Sequence, residues 1–409
     1  VLTEVTPSAA RDRRRALAAA TLAFVTCFYA WSLLGPLAPG LQQQLRLSEV
    51  QVGWMVAVPV VMGSIMRIPM GVLTDRFGAR RVFPALMIFS ALPLAALAAW
   101  HQGFWPLVAF GFFLGLAGSS FAVGVPFVSR WYAGHGQGAA LGVYGMGMGG
   151  TVLGALTTPV IADRLGTATP FALGAVLMVG VGLLFGAVAR DAPGTGPRAG
   201  SLVEPLRIFR REARAWVLTL FYFLAFGGFV AMFLYLPKLL VGVYGLGKTD
   251  AAARAAGFAL LAVLARPLGG WLADRAGAVP VLLVSFAGSA ILAAALTGFY
   301  QQIVPLTAAC LGLAVAFGLG TGAVFKMVSE EFPGNVGAVT GVVGAAGGLG
   351  GFFPPIVMAT VKAATGSYTL GFLLLSATAV VCLAVLVLMR GRPSATRPAA
   401  ASPRQAARG

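Results

Sequence analysis

The sequence predicts an all-α membrane protein of twelve transmembrane helices, arranged as two pseudo-symmetric six-helix bundles. Three observations carry that expectation. Of 409 residues, 58% are hydrophobic and 10% are charged, with a mean hydropathy of +0.88; this is too little polar surface to cover a body immersed in water. Apolar runs long enough to cross a bilayer recur twelve times. A set of Gly, Arg and Asp positions in the first half of the chain returns in the second half at one fixed offset.

A crossing helix takes about 20 apolar residues. Such runs fall at 17–39, 50–73, 83–100, 104–129, 138–162, 170–189, 215–237, 251–272, 280–299, 303–327, 337–361 and 368–389. Strand-like alternation is missing from all of them, which excludes a β-barrel. The first run follows Arg11, Arg13, Arg14 and Arg15. It is longer than the apolar core of a secretory leader and eleven spans follow it, so it is read as a helix. The sixth and seventh runs flank a polar stretch, 190–214, that carries Pro193, Gly194, Gly196, Pro197 and six arginines, and this reads as a cytoplasmic linker. The expected organisation is therefore a cytoplasmic tail (1–16), a first bundle (17–189), the linker, a second bundle (215–389) and a disordered cytoplasmic tail (390–409) in contact with anionic lipid.

The charge distribution supports the count. Twenty of the 29 basic residues lie on the side shared by the two termini and the linker. Six lie opposite: Arg46, Arg164, Lys238, Lys248, Arg254 and Lys362. The positive-inside rule places both termini in the cytoplasm of a multi-pass protein of the inner (plasma) membrane. The net charge of +17 is thus a topology signal rather than a nucleic-acid surface. Cys27, Cys310 and Cys382 stand far apart inside apolar runs and do not form a disulfide framework.

The repeat has an offset of 199. It carries Arg67, Gly71, Asp75, Arg76 and Gly78 onto Arg266, Gly270, Asp274, Arg275 and Gly277. It also carries Gly138, Gly142, Gly145 and Gly149 onto Gly337, Gly341, Gly344 and Gly348. Val128-Ser129 matches Val328-Ser329 with one residue of slippage. Two related halves of this kind place a ligand at their interface near the midplane.

Three basic residues remain inside the spans: Arg67, Arg266 and Lys326. Arg67 and Arg266 each precede an aspartate by eight residues, so at ~1.5 Å per residue they lie about 12 Å inside the cytoplasmic end of their helices. Arginine at that depth costs at least ~2.5 kcal/mol and keeps its proton. All twelve acidic residues fall in loops, tails or helix ends, so no intramembrane carboxylate compensates either guanidinium. Two matched cations without a protein counter-ion read as a site for an anion, and the guanidinium fork suits a planar oxyanion such as nitrate, nitrite or a carboxylate. The bland alternative is that both snorkel or bond backbone carbonyls.

Lys326 stands one turn before Glu330, and an ion pair between them, structural or gating, weighs as much as a substrate contact. The glycine-dense fifth and eleventh spans read first as close helix packing, and second as bare backbone lining a site for a very small substrate. Neither follows a strand, which rejects dinucleotide binding.

The run from Gly71 to Arg81, including Asp75, Arg76 and Arg80, is echoed at Gly270 to Gly277 with Asp274 and Arg275. It resembles the loop signature of the major facilitator superfamily, in which such residues latch one conformation until the halves rock; simple enforcement of topology is the alternative. Gly145 to Pro159 and Gly341 to Pro355 resemble the paired glycine-rich signatures of the nitrate/nitrite porter family of that superfamily. Phe28-Tyr29-Ala30-Trp31, Phe226-Gly227-Gly228-Phe229 and the stretch from Gly318 to Lys326 agree with it. The resemblance implies that Arg67 and Arg266 clamp the anion and that Tyr222 and Phe226 stack against it, ordinary core packing being the alternative for that aromatic pair; Gly145 and Gly344 are the glycines of the two runs read as lining the site. Ser120 and Thr321 stand where that family commonly has asparagine, and each offers one shorter hydroxyl.

The expected function is alternating-access transport of nitrate and/or nitrite, by exchange or coupled to a proton, with the protein acting as a monomer in the lipid bilayer. No cofactor or metal is called for. A carrier of small organic monocarboxylates and a non-transporting anion sensor are the rivals. An enzyme is disfavoured, because no nucleophile–base pair, metal cluster or paired acids occur within the spans. His101 and His135 are expected in loops, which leaves no histidine at membrane depth to carry a proton.

Overall fold

In hydrocarbon a backbone polar group finds a partner only within its own segment, so each apolar run must close its hydrogen bonds as a helix. A computed structural model describes residues 7–133, 136–193 and 204–390, and all twelve runs are helical in it. They are α1 (Pro7–Trp31, resuming as Leu34–Leu45), α2 (Glu49–Phe77), α3 (Ala79–Ala99), α4 (Phe104–Trp131), α5 (Gln137–Leu165) and α6 (Ala168–Val188). The second half holds α7 (Ala213–Tyr244), α8 (Lys248–Ala276), α9 (Ala278–Phe299), α10 (Ile303–Glu331), α11 (Val336–Thr365) and α12 (Thr369–Arg390). No strand occurs among the described residues.

Three details differ from the sequence expectations. The first span begins ten residues early, at Pro7, and breaks at Ser32-Leu33, because Pro36 cannot donate to the Ser32 carbonyl one turn back. The stretch expected as linker contains a short helix, Glu204–Arg211, immediately before α7. His101 lies in the loop between α3 and α4 as expected, but it is buried there, with Nδ1 3.1 Å from the Leu97 carbonyl oxygen. His135, linker residues 194–203, residues 1–6 and the tail from 391 onward lie outside the described residues.

The offset of 199 becomes a spatial relation. Between the halves, α2 packs along α11 and α8 packs along α5, and the repeat exchanges these two interfaces. Glycine makes them possible. A Cβ on Gly71 would strike the Gly337 carbonyl, and one on Gly270 would strike the Gly138 carbonyl. One turn on, a Cβ on Gly341 would lie 2.6 Å from the Arg67 carbonyl oxygen, and one on Gly142 would lie 2.6 Å from that of Arg266. Backbones in contact at four symmetric points hold the helix bearing each arginine against the opposite half. Gly78 and Gly277 end α2 and α8 at φ values of +79° and +88°, where a residue with a Cβ would be strained.

Three helices are locally rewound: α4 into a 3₁₀ turn at Gly115–Ser119, α5 into another at Met146–Gly149, and α7 into a π turn at Phe223–Gly227. Such turns redirect carbonyls and side chains away from their α-helical register; the turns in α4 and α7 carry Gly118 and Phe226 to the buried arginines, and the turn in α5 begins just after Gly145, which Arg266 contacts.

Gly270→Ala is expected to push α5 and α8 apart and to cost about 1–3 kcal/mol of stability, lowering the thermal unfolding midpoint in detergent. Gly257→Ala on the same helix, where an added Cβ meets nothing within 4 Å, should leave the midpoint unchanged. Equal behaviour of the two variants would refute the glycine-contact argument.

Candidate anion-binding site

Arg67 on α2 and Arg266 on α8 are 5% and 2% exposed, so neither snorkels. Each reaches across to the other half. Arg67 Nη1 donates to the Gly344 carbonyl of α11, and Arg266 Nη1 donates to the Gly145 carbonyl of α5 at 3.2 Å. The two acceptors are related by the same 199 residues as the two donors. Arg67 Nε also donates to the Gly118 carbonyl, in the 3₁₀ turn of α4, at 3.3 Å. Arg266 Nε is buried with no partner. The carbonyl alternative raised by the sequence is therefore part of the answer: backbone oxygens satisfy some of the guanidinium donors, and no carboxylate pairs with either group among the described residues.

One phenylalanine joins the two cations. The Phe226 ring centroid lies 5.5 Å from Arg67 Cζ and 5.7 Å from Arg266 Cζ, which places the guanidinium carbons at most about 11 Å apart. Tyr222 stacks on Phe226 with centroids 5.1 Å apart and planes 1° from parallel. The π turn explains this register, since a wider turn aligns residues four apart more closely than an α-helix does. Phe121 stacks on Tyr222 from α4, and Phe325 of α10 meets both rings edge-on at 4.6–4.7 Å. A small cavity of about 10 Å³, near the size of one water, is lined by Arg266, Tyr222, Gly145, Thr321, Phe121 and Phe325 together with Val125, Leu141, Gly142 and Gly322.

Of the residues expected at the site, Arg67, Arg266, Tyr222, Phe226, Gly145, Gly344 and Thr321 are gathered here. Thr321 Oγ1 donates to the Gly318 carbonyl at 2.8 Å, so its hydroxyl is engaged with its own helix. Ser120 does not line this cavity. Its hydroxyl is buried with no hydrogen-bond partner, while its backbone carbonyl accepts from the Tyr144 hydroxyl at 2.9 Å. Phe121, Phe325 and Tyr144 were not singled out from sequence. Neither phenylalanine has an aromatic counterpart in the other half, so the repeat carries no signal for them.

The expected latch residues divide into two groups. Asp75 Oδ1 accepts from Arg130 Nη2 at 2.5 Å, and its Oδ2 accepts from the Ala338 backbone N–H, at the start of α11, at 3.0 Å. Asp274 accepts from the Gly138 and Ala139 backbone N–H groups, at the start of α5, both at 2.8 Å. Its Oδ1 is 3.0 Å from Lys326 Nζ, which also lies 3.3 Å from Glu330. Each aspartate thus caps a helix of the opposite half and holds a cation of its own half. Ser129 Oγ donates to Ser329 Oγ at 3.1 Å between them. Arg76 and Arg275 take no part in this contact; their guanidinium carbons lie over Phe77 and Trp271 of their own helices, at 5.1 and 4.1 Å. Arg80 Nε donates to the Gly186 carbonyl at 3.4 Å, within the first half.

Comparison with known proteins agrees with this architecture. The profile described as Major Facilitator Superfamily matches residues 20–257 and 244–408. A Mycobacterium tuberculosis protein named "Probable nitrate/nitrite transporter NarK2" is 43% identical over 387 residues, covering 94% of this chain and 98% of that protein. A Bacillus subtilis protein named "Nitrite extrusion protein" is 36% identical over 369 residues, covering 90% and 92%. Among solved structures, the human organic anion transporter MFSD10 superposes with a TM-score of 0.79 at 17% identity, over 91% of this chain and 99% of that one; at that identity the likeness concerns the fold.

Asp75→Asn is expected to weaken two hydrogen bonds that depend on the carboxylate charge and to open the latch face about tenfold more often. A cysteine placed by Ser329→Cys, with the three native cysteines changed to serine, should then react about tenfold faster with a thiol reagent. An unchanged rate would show that Asp75 does not hold the halves together.

Proposed function

This chain belongs to the major facilitator superfamily and within it to the nitrate/nitrite porter family, and from that premise we propose that it carries nitrate and/or nitrite across the inner (plasma) membrane by alternating access. The observation that supports this most directly is the pair of buried, symmetry-related guanidinium groups with no carboxylate between them. A bound oxyanion would sit beside Phe226 with an oxygen toward each fork, accepting the donors that the carbonyls leave free. Tyr222 and Phe226 would stack on its planar face, as expected from sequence, and Phe121 and Phe325 would exclude water. The small cavity and bare glycine walls favour a very small anion over a bulky organic acid.

The latch face is assigned to the cytoplasm together with both termini and the linker, in keeping with the distribution of arginines. Asp75, Asp274, Arg130 and Lys326 would then hold the cytoplasmic side shut while the opposite side admits the anion. Two guanidinium groups no more than about 11 Å apart repel by at least ~1.5 kcal/mol at an effective dielectric constant of ~20. A bound anion offsets that repulsion, which favours exchange of one anion for another over return of the unloaded protein. Proton-coupled uptake is the second mode, by water or with the substrate itself. One copy contains the whole site, so the monomer is the proposed working unit.

Arg67→Lys and Arg266→Lys keep the charge and lose the fork. Each should lower nitrate and nitrite uptake into proteoliposomes about a hundredfold, in line with the loss of a charge-assisted bidentate contact, while elution as a single species shows the fold intact. Uptake near the native rate in both variants would defeat the clamp. For the mode, liposomes preloaded with nitrite should take up nitrate faster than empty ones. Equal rates in the two, with uptake following an imposed pH gradient, would establish proton coupling instead. Formate and acetate as competitors separate the organic-acid reading, which requires them to inhibit as strongly as nitrite.

A further inference from the structure

On the latch face of the first half a cavity of about 640 Å³ opens between the start of α1, the end of α4 and the end of α6. It is lined by Arg11, Asp12, Arg15, Trp131, Val188 and Arg190, with Ala16 and Ala187 completing the wall. Three guanidinium groups face one carboxylate. Among the described residues, none of the three guanidinium groups forms an ion pair or hydrogen bond. The indole of Trp131 is fixed by donating to the Arg190 carbonyl at 2.8 Å.

The repeat shows what this arrangement lacks. At the offset of 199, Arg11 and Arg15 correspond to Arg210 and Arg214 of the second half. With the one-residue slippage that pairs Ser129 with Ser329, Trp131 corresponds to Glu331. In the second half Arg214 Nη1 lies 3.2 Å from Glu331 Oε1, so that half supplies its own anion. In the first half the matching position is an indole, and among the described residues the arginines there have no carboxylate within ion-pair distance, Asp12 included.

We propose that this cavity binds the phosphate headgroup of an anionic phospholipid. The choice of lipid over a free phosphate comes from the rim. Val188 and, one turn deeper, Leu184 are 46% and 49% exposed on the outer face of α6, so an acyl chain can run down that helix from a headgroup seated among the arginines. Trp131 provides the amphipathic ring typical of the membrane interface. The site lies apart from the central arginines and does not depend on which anion they carry.

The test uses the full chain in detergent, titrated with phosphatidylglycerol, phosphatidylcholine or inorganic phosphate and read by native mass spectrometry for retained lipid. The native protein should retain phosphatidylglycerol and not phosphatidylcholine, and inorganic phosphate should not displace it. R11Q/R15Q/R190Q should bind phosphatidylglycerol about a hundredfold more weakly, from roughly a fivefold loss per arginine. Trp131→Glu introduces the carboxylate that the second half has, and should weaken the lipid comparably; Trp131→Phe, which loses only the indole donor, should retain it. Retention of phosphatidylglycerol by the triple variant and by Trp131→Glu at native affinity would overturn the site. Displacement by inorganic phosphate as effective as by lipid would overturn the assignment to a phospholipid.

Discussion

Two buried guanidinium groups held by backbone carbonyls of the opposite half are the constraint on which the rest of the architecture depends. Arginine keeps its proton at any depth, so burial of Arg67 and Arg266 must be compensated by acceptors. The acceptors are Gly344 and Gly145, and they come within reach only because α2 touches α11 and α8 touches α5 without intervening side chains. The glycines at 71, 337 and 341, and at 270, 138 and 142, are therefore part of the arginine site, although they lie one to two turns away. Because donor and acceptor belong to different halves, a rocking motion that separates the halves also removes the carbonyls from the guanidinium groups.

Much of this was legible in the sequence because it is written in residue types that cannot be exchanged: an arginine inside a span, an aspartate at a helix end, glycine where backbones meet. A fixed offset between two sets of such residues encodes the pseudo-symmetry, and the structure translates it into two equivalent interfaces. What escaped the sequence is set by conformation. The π turn that aligns Tyr222 with Phe226 is a local rewinding without a unique residue signature. Phe121 and Phe325 are ordinary apolar residues until packing places them against Tyr222. Ser120, which a family position marks for the site, does not line the small cavity, and its hydroxyl is buried without a hydrogen-bond partner. Lys326 was paired correctly with Glu330 one turn away, but its contact with Asp274 spans two helices and has no sequence signal.

The halves are alike in their glycines and arginines and unlike in the cations that meet the aspartates. Asp75 is held by the planar guanidinium of Arg130, one turn beyond the position that Lys326 takes relative to Asp274. A guanidinium fixes its carboxylate by direction, an ammonium mainly by proximity, and Lys326 is shared with Glu330 as well. Each of these cations belongs to the same half as its aspartate, so the bonds that cross between the halves here are those from the Ala338, Gly138 and Ala139 backbone N–H groups.

The donor count then connects the latch to the cargo. A guanidinium has five N–H donors; Arg67 uses Nε and Nη1 on backbone oxygens, and Arg266 uses Nη1 alone. Each donor buried without an acceptor costs about 1–3 kcal/mol, and mutual repulsion adds to that sum. A state closed on both faces cannot relieve the deficit with water. Under the proposed function an oxyanion would relieve it at once, because its oxygens would accept from both forks and its charge would cancel the repulsion. On that reading the anion would be the missing structural element of the closed state, and the protein would cross between its two open forms more readily loaded than unloaded.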